Sequence, residues 1–159
     1  MANIIRNLAS TLAGLLLVSS GALQASGDHL KTPADPLYLQ ECGSCHAPYS
    51  ARLLSASSWQ AIMNGLDQHF GSDASLDDKN VADTLQRYLL GNARRKDTLD
   101  ENGNSVRRIT ETRWFRHEHD EVPESVWQSP AVKSPSNCGA CHTTADQGRF
   151  SEHNQRMPR

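Results

Sequence analysis

The chain has 159 residues, 37% of them hydrophobic and 6% aromatic, with a formal net charge of −2. This length suits one domain or two small lobes, and so thin an apolar content struggles to build a core unaided. The charge balance gives no bulk drive toward nucleic acid.

Arg6 supplies a short positive region, and Leu8 to Val18 is apolar. Leu23-Gln24-Ala25 offers a cleavage site after Ala25, with Ser20-Gly21-Ala22 as an alternative. The apolar run is far short of the ~20 residues that span a bilayer. The expectation is therefore a signal peptide over 1–25 rather than a retained anchor. The mature chain is then soluble and exported, to the periplasm in a Gram-negative cell.

Ser26 to Pro36 is polar and forms a lead-in. Leu37 to Leu54 carries the first cysteine pair, with helix expected on both sides. Ser57 or Ser58 can cap a helix running to about Phe70. Trp59, Ile62, Leu66 and His69 would share one face of it, and Gly71 would end it. Ser75 starts a further helix with Leu76, Val81, Leu85, Tyr88 and Leu89 as its apolar stripe, closed by Gly91-Asn92. Arg94 to Arg108 looks like a solvated loop. In Ile109 to His119, Ile109-Thr110 and Trp114-Phe115 could be extended. Pro123, Pro130 and Pro135 break up the next stretch. Ser136 to Gly148 holds the second cysteine pair, with a short helix expected after it, and Phe150 to Arg159 is a polar tail. No sustained period-2 pattern occurs, so the fold class is mostly α with much irregular structure.

Cys42-Gly-Ser-Cys45-His46 and Cys138-Gly-Ala-Cys141-His142 share one spacing, C-x-x-C-H. Two thiols so placed add across the two vinyl groups of a haem, and the following imidazole lies under the iron. A zinc ribbon also uses paired C-x-x-C knuckles but does not require His directly after each. Two disulfides, the ordinary outcome for four cysteines after export, explain neither the spacing nor the histidines. A thioredoxin-like motif wants a βαβ pattern, which is missing. The residues thus point to two covalently bound haem c groups, with His46 and His142 as proximal ligands. Each haem would also bring a large apolar body into the deficient core.

The distal candidates are His29, His69, His117, His119 and His153, with Met63 and Met157 as the methionines left after cleavage. His69 leads, from its place on the buried helix face. Met63 reads as core packing. Of His117 and His119, one is expected to be a ligand and the other solvated, and the pattern does not choose between them. His29 and His153 read as surface residues, with His153 still open as a late ligand. Two bis-histidine irons would give low potentials, since Met in place of His raises them.

The chain resembles the small dihaem cytochrome c family that partners the sphaeroides haem protein. The resemblance runs from about Leu37 to the C-terminus. It rests on Glu41-Cys-Gly-Ser-Cys-His46, Ser58-Trp-Gln60, Leu66-Asp-Gln-His-Phe-Gly71, Asp73-Ala-Ser-Leu-Asp77, Tyr88-Leu89 and Asn92-Ala93. It continues through Arg108-Ile-Thr110, Glu118-His119, Ser134-Pro-Ser-Asn-Cys-Gly-Ala-Cys-His142 and Gly148-Arg-Phe150. It implies two helical haem lobes, over 26–106 and 107–159, and bis-histidine irons whose distal positions match His69 and His119. Sequence proximity pairs His69 with haem 1 and His119 with haem 2, a crossed arrangement being the alternative. It also implies an electron shuttle, not an enzyme, between membrane-side cytochromes and a small monohaem c-type protein.

Trp59, Trp114, Trp127, Phe70 and Phe115 are candidates for haem packing or ordinary core. Arg94, Arg95, Lys96, Arg107 and Arg108 could steer an acidic partner, meet propionates or merely be solvated. The rival functions are a small peroxidase or nitrogen-oxide reductase with one open iron, and a sensor or subunit of a larger oxidoreductase.

Overall fold

The computed structural model describes residues 35–100 and 102–158. The expected signal segment and His29 lie outside the described residues. Five short α-helices order the chain: α1 (Pro36–Cys42), α2 (Ala56–Met63), α3 (Lys79–Asn92), α4 (Arg113–Glu118) and α5 (Glu124–Trp127). Among the described residues, extended pairing is limited to isolated bridges. The mostly α fold expected from the sequence is what forms. No helix among them is long and apolar enough to cross a membrane.

The core is built where α2 packs on α3. Tyr38, Ala51, Leu54, Trp59, Ile62, Leu85 and Leu89 form one buried cluster, with Met63 and Ile109 packed against it. Trp59 turns its indole N–H to the Ala51 carbonyl at 2.7 Å, so this aromatic buries no unpaired donor.

Several boundaries differ from the sequence expectation. Ser55, not Ser57 or Ser58, caps α2, its hydroxyl accepting from the Ser58 N–H. That helix stops at Met63, because Asn64 and Gly65 turn the chain, and a 3₁₀ turn follows at Leu66–Gln68. His69 therefore lies beyond the helix, not on its face. Asp78 caps α3, which begins at Lys79 rather than near Ser75. The 94–108 stretch is anchored: Asp100 accepts from the Asn102 and Asn104 N–H groups, Gly103 takes φ 80°, and Val106 is buried. Ile109–Glu111 is a 3₁₀ turn and α4 follows it, started by the Thr112 hydroxyl accepting from the Phe115 N–H. Neither is extended. Past Cys138 the structure has only 3₁₀ turns, Cys138–Ala140, Ala145–Gln147 and Glu152–Asn154, where a short helix was expected.

Candidate haem-binding sites

The first site grows from α1. Pro36 opens this helix, and the Asp35 carboxylate accepts from the Leu37 and Tyr38 N–H groups. The helix ends at Cys42, and a Cβ at Gly43 would collide with the Leu39 carbonyl, so glycine is required there. The turn carries Cys45 outward and brings in His46. The His46 Nδ1–H donates to the Ala47 carbonyl at 2.8 Å. A carbonyl can only accept, so the ring's lone pair sits on Nε2, as metal-ligating imidazoles require.

His69 reaches the same place from the turn after α2. The Ala74 N–H donates to Leu66 O at 2.8 Å, and His69 bridges Ser72. Phe70 at φ 52° and Gly71 at φ 97° reverse the chain. A bulky residue at positive φ is a strained position that its surroundings must hold. Arg108 lies 4.3 Å over the Phe70 ring, which itself packs on His69. The His46 and His69 ring centroids stand 6.1 Å apart with planes 19° from parallel. Burial, with lesser contributions from His46 and Arg108, holds the His69 pKa below its ordinary value.

The second site grows from α4. Its last turn delivers His119, whose Nδ1–H donates to the Phe115 carbonyl at 2.9 Å, again freeing Nε2. The imidazole stacks on Phe115 at 4.1 Å, and Trp127 lies 5.9 Å away. His142 follows the Cys138–Ala140 turn, its N–H bonded to Cys138 O at 2.8 Å. Phe150 meets the His142 ring edge-on at 5.7 Å. The tail clasps this motif, with Thr143 N–H donating to Asn154 O and Arg156 N–H to Cys141 O. The His119 and His142 centroids also lie 6.1 Å apart, with planes at 74°. Burial, then His119, depresses the His142 pKa.

Two imidazoles whose nitrogens sit about 2 Å from one shared metal have centroids roughly 6 Å apart. Both pairs have that separation. Among the described residues no group of three or more His, Cys, Asp and Glu side chains is disposed to hold a bare ion. An imidazole pair beside a C-x-x-C thiol pair fits a haem iron, which takes its remaining ligands from the porphyrin, rather than a bare ion. All four cysteines are free thiols rather than disulfides, and so available for attachment. Burial, with Glu41 and Cys45 adding, pushes the Cys42 thiol up to about 11, and burial raises Cys138 and Cys141 as well.

A helical scaffold presenting two such thiol pairs, each with facing imidazoles, has the donor set of a multihaem c-type cytochrome. The family model described as dihaem cytochrome c matches residues 38–150. This chain belongs to the dihaem cytochrome c family, and Cys42/Cys45 and Cys138/Cys141 attach its two c-type haems. It is similar to the solved dihaem cytochrome c of Rhodobacter sphaeroides at 40% identity and TM-score 0.64, covering 75% of this chain and 98% of that one. A second structure, of DHC purified from R. sphaeroides, gives 42% and 0.63 over 76% and 100%. The dihaem cytochrome of Shewanella baltica OS155 gives 38% and 0.65 over 79% and 94%. No curated protein matches the chain.

The other candidates fall elsewhere. His117 is 81% exposed, 3.9 Å from Asp120, and His153 is exposed on the Glu152–Asn154 turn. Met63 is partly buried against the core, and Trp59 belongs to that core. Phe70, Phe115 and Trp127 contact the imidazoles, as above. Arg94, Arg95, Lys96 and Arg107 are exposed. Two contacts were missed from the sequence. Tyr49 stacks on His46 at 4.9 Å, and Phe150 abuts His142. An aromatic three residues past the motif histidine was the available signal for Tyr49; Phe150 had none locally.

Proposed function

We propose that this dihaem cytochrome is a periplasmic one-electron carrier with bis-histidine irons. His46 and His69 would ligate haem 1, and His142 and His119 haem 2. The observation that carries this reading is the equal 6.1 Å separation of the two imidazole pairs. The Nδ1–H bonds of His46 and His119 support it, since they leave Nε2 free in both. The haem, once bound, supplies an iron that cycles between ferric and ferrous. The chain's own task would be to hold the two imidazoles of each pair in place, which would leave no open position for substrate. Aromatic packing by Tyr49, Phe115, Trp127 and Phe150 holds those rings. The dihaem family is typically one of electron carriers, which favours a carrier over a haem enzyme.

The haem 1 lobe would span 26–106 and the haem 2 lobe 107–159. Donor and acceptor would be other c-type cytochromes, the acceptor being a monohaem protein of the sphaeroides haem protein type. The test is a near-infrared and carbon monoxide study of the purified protein. The expected outcome is no methionine–iron band and slow or negligible carbon monoxide binding to the ferrous form. Rapid, tight binding would overturn the carrier assignment in favour of an enzyme with an open iron.

A further inference from the structure

Phe70 follows His69 directly and sits where a bulky side chain is least at ease. Its φ is 52°, in the left-handed region, and Gly71 continues the reversal at φ 97°. Such a backbone persists only where its surroundings over-determine it. Burial in the core does not do so, because Phe70 is 44% exposed. The ring instead meets the His69 imidazole at 4.8 Å, and the Arg108 guanidinium lies 4.3 Å over its centroid. That is well inside the roughly 6 Å reach of a cation–π contact.

Arg108 is itself fixed. It stands between the buried Val106 and Ile109, which packs on the core. Its carbonyl accepts the Glu111 N–H at 3.0 Å, closing the Ile109–Glu111 turn, and its Nε lies 3.6 Å from the Glu111 carboxylate. An exposed ion pair of this kind contributes little by itself. It does orient the guanidinium, whose flat face suits an aromatic ring better than an ammonium would. The same turn leads through the Thr112 cap into α4 and His119. A strained loop beside one imidazole is thus held by a side chain that the core anchors.

We propose that Arg108 is a positioning residue for the distal imidazole of haem 1: through Phe70, it holds the reversed loop that presents His69 to His46. The inference rests on His69 being that ligand, and deepens the bis-histidine reading. Arg108 acts on the ring next to the ligand, not on the iron. With the cation in place the loop keeps one arrangement. Without it the Phe70 backbone is free to relax, and His69 leaves its position more often.

The experiment uses the holoprotein and its Arg108→Gln, Arg108→Lys and Phe70→Asn variants, with the Arg108→Gln/Phe70→Asn double. Haem content is read by mass, carbon monoxide binding to the ferrous form by stopped flow, and the ferric irons by low-temperature EPR. Arg108→Gln is expected to keep both haems and to perturb only the signal of the near-parallel imidazole pair. Carbon monoxide binding at haem 1 should speed up about two- to five-fold, the change that a cation–π contact at an exposed site accounts for. Arg108→Lys should recover part of the loss, since it keeps a cation without the planar face. Phe70→Asn removes the ring with a residue type that accepts positive φ, and should speed binding as well. The double variant should bind no faster than Phe70→Asn alone, as expected for two residues acting through one contact. Arg107→Gln takes the same charge from an exposed neighbour and should leave the rate unchanged. The proposal is overturned if Arg108→Gln keeps the wild-type rate and signal, or if Arg107→Gln matches it. It is overturned equally if Arg108→Gln speeds binding as much in the Phe70→Asn background. His69→Ala is the separate check: binding as slow as in the wild type would sink the ligand assignment on which the proposal rests.

Discussion

The imidazoles of His119 and His142 stand nearly edge-on to one another, their planes 74° apart, whereas those of His46 and His69 are within 19° of parallel. Each arrangement is fixed by separate packing. Phe115 and Phe150 set the second pair, and Tyr49 and Phe70 the first.

This asymmetry predicts two distinguishable ferric centres. Near-parallel imidazoles split the iron orbitals and give a rhombic low-spin signal. Near-perpendicular ones leave those orbitals close in energy and give one widely displaced feature. Low-temperature EPR of oxidised holoprotein should show one species of each kind, in equal amounts. Two identical rhombic species would refute the assignment of the ring planes.

His117 and His119 should differ sharply when replaced. His119→Ala is expected to leave one iron without its distal imidazole, so that half the haem becomes able to bind carbon monoxide. His117→Ala, at a position 81% exposed, should leave the spectrum intact. The carbon monoxide difference spectrum decides, and the reverse pattern would transfer the ligand role to His117.

Leu85 is fully buried between α2 and α3. Leu85→Ala should cost about 2–5 kcal/mol, the range for a buried leucine truncated in a packed core. Denaturant unfolding followed by helical circular dichroism measures it. A loss below the lower bound would show that the site collapses around the smaller side chain.

Gly148 adopts φ 66° with the Pro48 carbonyl close by. Gly148→Ala should destabilise by about 1–2 kcal/mol from the left-handed backbone alone, with the tight approach to Pro48 adding to it. Comparison of thermal melts tests this, and an unchanged melting temperature would mean that the Pro48 backbone can move aside at no cost.

The two attachment motifs were legible because their chemistry is local: five consecutive residues carry both thiols and one imidazole. The core stripe of α3 was legible for the same reason, Leu85 and Leu89 lying one turn apart. The period that puts His69 on a continuous helical face does not hold: Asn64 and Gly65 end that helix, and a 3₁₀ turn carries the ring to His46. The tertiary contact was real, but the period was not its cause. The choice between His117 and His119 could not come from spacing, since the two stand two residues apart where α4 ends. Family resemblance favoured His119, and the ring contact with Phe115 and the bond to its carbonyl are what separate the two in space. Tyr49's reach to Ser136 spans 87 positions, beyond any local pattern.

From 128 to 158 the chain has no α-helix, and among the described side chains there only Val132 and Ala145 are buried. Such a stretch has almost no apolar interior of its own until porphyrin arrives. Closure of this end is therefore expected to lean on the second haem, and a copy carrying only the first should be cut there sooner under limited proteolysis than the finished molecule.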